Sequence, residues 1–172
     1  MSNVSELKAL DPSVTQIVID NGVSERDFTV LDLTRFTALR SLEIGYSCFS
    51  YVTEVKLVGL SALESVVIGR NSFTKKKESW GNDPSRRFLL KDCPKLKTLR
   101  IGEFSFSDYA SCEVQNNPMM EAIELTSYNF YSAPSLELKG VIVRRGLMHR
   151  PNAIPIAFDS WERLPRRFSP CA

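Results

Sequence analysis

The sequence predicts a β-rich solenoid, with two short strands in each unit of about 24 residues and parallel sheets built by stacking the units. Three observations carry the prediction. Five segments read apolar-x-x-apolar-x-apolar: Val14–Ile19, Leu39–Ile44, Leu63–Ile68, Leu96–Ile101 and Met120–Leu125. A second apolar pair recurs behind each of them: Leu31/Leu33, Val55/Leu57, Phe88/Leu90, Cys112/Val114 and Leu136/Leu138. Between the two, five residues after the last apolar position, stands Phe49, Phe73, Phe106 or Phe130.

The starts of the five segments lie 25, 24, 33 and 24 residues apart. In each of the first strands, alternate side chains are apolar, the period of a half-buried strand. Gly45, Gly69 and Gly102 follow directly in three units, where unrestricted φ is expected to let the chain leave the strand sharply. The second pairs flank mostly polar residues (Asp32, Lys56, Glu113, Glu137; Leu89 is the exception), so they too predict strands. Leu33, Leu57, Leu90 and Val114 each precede the next unit by six residues. One unit cannot bury its apolar edge alone. Stacked units share a core, with parallel strands about 4.8 Å apart, an aromatic column and aliphatic columns beside it.

The L-x-x-L-x-I core and the period resemble the leucine-rich repeat family over roughly residues 10–140. The flavour L-x-S-L-x-I-G-x-x-x-x-F, with Cys93-Pro94 or Asn117-Pro118 entering the next unit, is similar to the long irregular leucine-rich repeat proteins of unicellular eukaryotes. The asparagine or cysteine that usually follows L-x-x-L-x-L at fixed spacing is missing, and glycine and phenylalanine define the turn instead. A flat two-sheet stack is therefore expected in place of a tight horseshoe with helices outside. A right-handed parallel β-helix is the alternative.

Two regions leave the repeat. The third unit carries an insertion over 74–87 with five basic residues (Lys75, Lys76, Lys77, Arg86, Arg87), two acidic ones and Trp80. It is expected to bulge as a loop from one face of a solenoid that spans 1–143. Residues 144–172 form an Arg/Pro-rich tail with six Arg, four of the nine prolines and the single histidine, His149. Either it caps the stack, with Ile154, Ile156, Phe158, Trp161 and Leu164 over the core, or it stays disordered.

The chain has 172 residues and a formal net charge of +2, too balanced to point to nucleic acid, which is not expected as a partner. No apolar stretch reaches the length of a membrane span, and no signal peptide opens the chain, which favours a cytoplasmic location. The four cysteines (Cys48, Cys93, Cys112, Cys171) form no C-x-x-C pair, and no metal or cofactor is expected. Phosphate-cradling glycine motifs are absent. A lone histidine builds no nucleophilic triad. Glu43 and Glu124 occupy equivalent positions three rungs apart, about 14 Å by strand spacing, beyond the separation that glycosidase carboxylates use. The chain is expected not to be an enzyme.

Binding remains. The outward positions of the first strands form one small column, Gln16, Ser41, Ser65, Thr98 and Ala122, and one varied column, Val18, Glu43, Val67, Arg100 and Glu124. The resemblance implies recognition of a protein partner across this face, and the chain is expected to be a monomer. The insertion residues Lys75, Lys76, Lys77, Trp80, Arg86 and Arg87 are a second candidate surface. The alternatives are a fragment of a longer surface or adhesin-like repeat array, without independent activity and associating end to end, and an anionic-surface binder using the basic loop and tail.

Overall fold

A computed structural model describes residues 1–75, 83–131, 133, 135–139 and 156–158. Among them the chain is a β-solenoid of parallel strands with almost no helix. The first strands of the units are β1 (Gln16–Ile19), β3 (Ser41–Ile44), β5 (Ser65–Ile68), β7 (Thr98–Ile101) and β9 (Ala122–Leu125). They pair in that order in one five-stranded sheet. The second strands are β2 (Val30–Asp32), β4 (Glu54–Val58), β6 (Asp83–Lys91), β8 (Tyr109–Gln115) and β10 (Ser135–Lys139), and a last strand, β11 (Ile156–Phe158), adds to β10. These six form the opposite sheet.

The registers are those of the repeat. Leu42 sits between Ile17 and Val66, and Ile44 between Ile19 and Ile68. Across the other sheet Val55 sits between Leu31 and Phe88, and Cys112 between Phe88 and Leu136. The apolar positions of both sheets meet in one continuous core. The expected aromatic column runs through it: ring centroids are 5.3 Å apart for Phe49–Phe73, 4.6 Å for Phe73–Phe106 and 5.0 Å for Phe106–Phe130, the last two pairs stacked within 6° of parallel. Phe28 prolongs it at 5.7 Å from Phe49.

The corner after the first strand departs from expectation in its physical cause. Gly45, Gly69 and Gly102 do not adopt positive φ. Glycine is needed there because the rungs touch backbone to backbone. A Cβ on Gly69 would lie 2.6 Å from the carbonyl carbon of Gly45, and one on Gly102 would lie 2.5 Å from the nitrogen of Arg70. Where Thr126 replaces glycine, the bond from its N–H to the carbonyl of Ile101 is 3.4 Å, against 2.7 Å from Gly69 to Ile44 and from Gly102 to Ile68.

The left-handed residues of this corner are instead Ser47, Asn71, Phe104 and Tyr128, and two positions later Phe49, Phe73, Phe106 and Phe130 (φ 49 to 62°). For side chains of this size the conformation costs roughly 1 kcal/mol or more each. Inter-rung hydrogen bonds offset it. Ser47, Asn71 and Phe104 donate forward to the carbonyls of Arg70, Glu103 and Ser127, at 2.8–3.0 Å. Phe49, Phe73 and Phe106 donate backward to Val23, Cys48 and Ser72, at 2.8–3.1 Å. Alternating directions lock these three corners to both neighbours.

Just before the phenylalanine, a ladder of small buried donors reaches into the rung behind. The Cys48 thiol donates to Asp20 O (3.1 Å), the Ser72 and Ser105 hydroxyls to Gly45 O and Gly69 O (2.8 Å each), and the Asn129 amide to Gly102 O (2.7 Å). At the opposite corner the Cys93 thiol reaches back to Leu57 O at 3.7 Å, and Asn117 bridges two rungs. Cys93 N–H donates to Asn117 Oδ1 at 3.0 Å, and Asn117 Nδ2 to Leu90 O at 3.2 Å. Burial pushes the Cys93 thiol up to about 11, which suits a structural donor and not a nucleophile.

A short helix, α1 (Val4–Ala9), covers the end of the core before β1 with Val4 and Leu7 buried. It is absent from the repeat-based expectation. Asn3 caps it by accepting from Glu6 N–H at 2.9 Å, and the Glu6 carboxylate reaches back past the cap to accept from Ser2 N–H at 3.0 Å. Arg35 donates to the carbonyls of Leu7, Lys8 and Leu10 at its other end.

The insertion 74–87, expected to be a loop throughout, is not all loop, because β6 already begins at Asp83, with a register shift between Asp83 and Arg87 against β8. In the tail, the backbone of Ile156–Phe158 joins the sheet as β11. The expected capping residues Ile154, Trp161 and Leu164 lie outside the described residues, as does His149.

The close corner generates a test. Gly69→Ala is expected to lower stability by about 1–3 kcal/mol, the cost of forcing a methyl into packed backbone. Gln16→Ala, on the exposed sheet surface, is expected to change it by no more than about 0.5 kcal/mol. Equilibrium urea unfolding of both variants reads the difference.

Candidate functional site

The outward face of the first sheet assembles as the period-2 pattern requires. In one column Gln16, Ser41, Ser65, Thr98 and Ala122 are register neighbours; in the other, Val18, Glu43, Val67, Arg100 and Glu124. All ten are exposed or half-buried. Their buried neighbours on each strand, such as Leu42 and Ile44 beside Glu43, fix the strand's rotation and so aim the outward residues. Glu43 and Glu124 stand three rungs apart, with Val67 and Arg100 between them.

Charge on this face is partly cancelled. Arg100 pairs with Glu124 at 2.9 Å. At the margin Arg40 pairs with Glu64 at 2.7 Å, and its hydrogen bond holds the Glu64 carboxyl below the usual range. No ion pair engages Glu43 among the described residues. It is exposed between two exposed aliphatic side chains, Val18 (38%) and Val67 (37%).

The outward face of the second sheet is different. Lys56 lies 3.9 Å from Asp32 and 3.1 Å from Glu54; Arg87 also pairs with Glu54, Lys91 with Glu113, and Lys139 with Glu137. Burial raises the Glu54 carboxyl, but hydrogen bonds from Lys56 and Arg87 outweigh it and hold the group below its usual range. The charges of this face are paired, some across strands and some along one strand, and Val30 is exposed at its edge.

The insertion does not present all the cations expected of it. Arg86 is a correction: it is 1% exposed and turned into the molecule. Its guanidinium pairs with buried Asp108, donates to the carbonyls of Ser50 and Val52 at 2.7 Å each, and lies over the Tyr109 ring at 5.0 Å. Tyr109 donates to the same Val52 carbonyl at 2.7 Å, and burial pushes its phenol well up. An arginine with this many fixed acceptors holds the root of the insertion against the β8 rung. Arg87 remains half-exposed but is paired with Glu54. Lys75 is exposed, and its backbone N–H donates to Asp108 at 3.2 Å. Lys76, Lys77 and Trp80 lie outside the described residues.

Repeat reasoning missed this cluster because Arg86, Asp108 and Tyr109 fall outside the apolar template. The available signal was an Asp-Tyr pair at the start of the second strand in the unit after the insertion. Among the described residues, no three His, Cys, Asp or Glu side chains are grouped to hold a metal ion. No helix among them is long and apolar enough to cross a membrane.

Removing one partner of the buried pair leaves an uncompensated charge. Arg86→Ala is therefore expected to lower stability by about 3–5 kcal/mol, whereas Arg87→Ala, at a half-exposed pair, is expected to cost about 1 kcal/mol or less. Denaturant unfolding of the two variants separates the neighbours; equal losses would contradict the burial assigned to Arg86. No family model, curated protein or solved structure matches the chain.

Proposed function

We propose that the chain is a non-catalytic protein-interaction module of the leucine-rich-repeat kind, binding a protein partner across the outward face of the first sheet. The observation that carries this reading is the contrast between the two outer faces. The second sheet pairs its charges within and between strands and exposes one aliphatic side chain, Val30, on its edge strand β2. The first leaves exposed aliphatic side chains and an unpaired carboxylate beside a column of small residues. A face whose groups satisfy one another gains little from a partner; one with uncovered apolar area and charge gains from both. The small column (Gln16, Ser41, Ser65, Thr98, Ala122) supports the same reading, since it leaves room for side chains of the partner.

Affinity capture from native extract tests it with two folded variants. A triple variant of the first sheet (Glu43→Ala, Arg100→Ala, Glu124→Ala) is expected to lose the partner retained by the intact chain at low and moderate salt. A double variant of the second sheet (Lys56→Ala, Glu113→Ala) is expected to keep it. Retention by the first and loss by the second would move the interface to the opposite face. Retention by both that vanishes with salt would favour the anionic-surface reading through the basic loop and tail.

A further inference from the structure

We propose that Glu43 is the receptor for a lysine or arginine side chain of the partner, with Val18 and Val67 as the walls that hold its aliphatic stem. The inference rests on the strand-face reading and makes it specific. Val18, Glu43 and Val67 are direct register neighbours on β1, β3 and β5, so their Cα atoms lie in a line at about 4.8 Å steps. The line presents an apolar group, a carboxylate and an apolar group, all exposed.

The cations nearest in the register pattern are committed elsewhere. Arg100, two rungs from Glu43, is held by Glu124 at 2.9 Å, and Arg40, on the same chain segment, by Glu64 at 2.7 Å. Glu43 is thus the charge of the varied column that no ion pair engages among the described residues. Beside it Ser41 and Ser65 are short, so nothing bulky from the small column overhangs the carboxylate. The side chains that satisfy such a row in full combine a cationic head with a methylene stem. Lysine and arginine lay the stem on apolar surface and carry the charge at its end. An acidic or purely apolar partner residue would leave Glu43 facing like charge or desolvated without a donor.

A displayed library of random heptapeptides, selected against the intact chain, tests the proposal with three variants shown to be folded by circular dichroism. Peptides enriched in Lys or Arg are expected, losing about tenfold in affinity on Glu43→Gln. Selection against Glu43→Lys is expected to turn the enrichment to Asp and Glu. Ser65→Tyr fills the face without changing charge and is expected to abolish binding. If Ser65→Tyr abolishes binding while both Glu43 variants keep the original affinity and preference, the receptor role of Glu43 is overturned and the strand face stands. If no peptide is selected, or Ser65→Tyr leaves binding intact, both are overturned.

Discussion

The close approach of successive rungs at the corners after β3, β5 and β7 is the constraint on which the rest of the structure depends. There the backbone of one rung lies against the next with no room for a Cβ. The chain must then turn through two left-handed residues in quick succession, several of them aromatic. Strand pairing alone would not hold these bulky side chains in that conformation. Amides donating alternately forward and backward do, together with the inner donors Cys48, Ser72, Ser105 and Asn129. The geometry also carries each phenylalanine into the column where rings stack at 4.6–5.3 Å. Register in both sheets follows from this corner, because a rung that fits it has no freedom to slip.

Fixed register decides what each outer face looks like. On the second sheet it sets Lys56 beside Asp32, Lys91 beside Glu113 and Arg87 beside Glu54, and opposite charges meet across strands. On the first it sets Glu43 between two valines and spends Arg100 on Glu124. The same stacking rule therefore yields one face rich in ion pairs and one on which Glu43 stands without one among the described residues. The insertion departs from the rung length without breaking the stack because Arg86, buried against Asp108, Tyr109 and two backbone carbonyls, pins the strand where the repeat resumes.

Much of this was legible in the residues. The alternation in Leu39–Ile44 and its counterparts set which side chains face outward, and the constant offsets to Phe49, Phe73 and Phe106 set the stacking, so strand pairing and the aromatic column could be read directly. Physical cause was harder to read than position. Glycine at 45, 69 and 102 suggests conformational freedom, whereas closeness of neighbouring backbone is what requires it. The donor before each phenylalanine varies as Cys, Ser, Ser and Asn, residues alike in hydrogen-bonding capacity but not in name, and it hid the inner ladder. Composition counts Arg86 with the surface cations, since its partner Asp108 lies a full unit further on. The helix Val4–Ala9 carries its own signal in Asn3 and Glu6, but a search for repeats passes over a cap that occurs once.

Amide hydrogen exchange at the corners tests the central claim most directly. If inter-rung bonds hold the left-handed turns, the amides of Ser47, Phe49, Asn71, Phe73, Phe104 and Phe106 will exchange as slowly as those of the strand centres Leu42, Val66 and Leu99, through the same global opening. Fast exchange at the six corner amides, with protection confined to the strands, would mean that the corners are ordinary surface turns and that strand pairing alone sets the register.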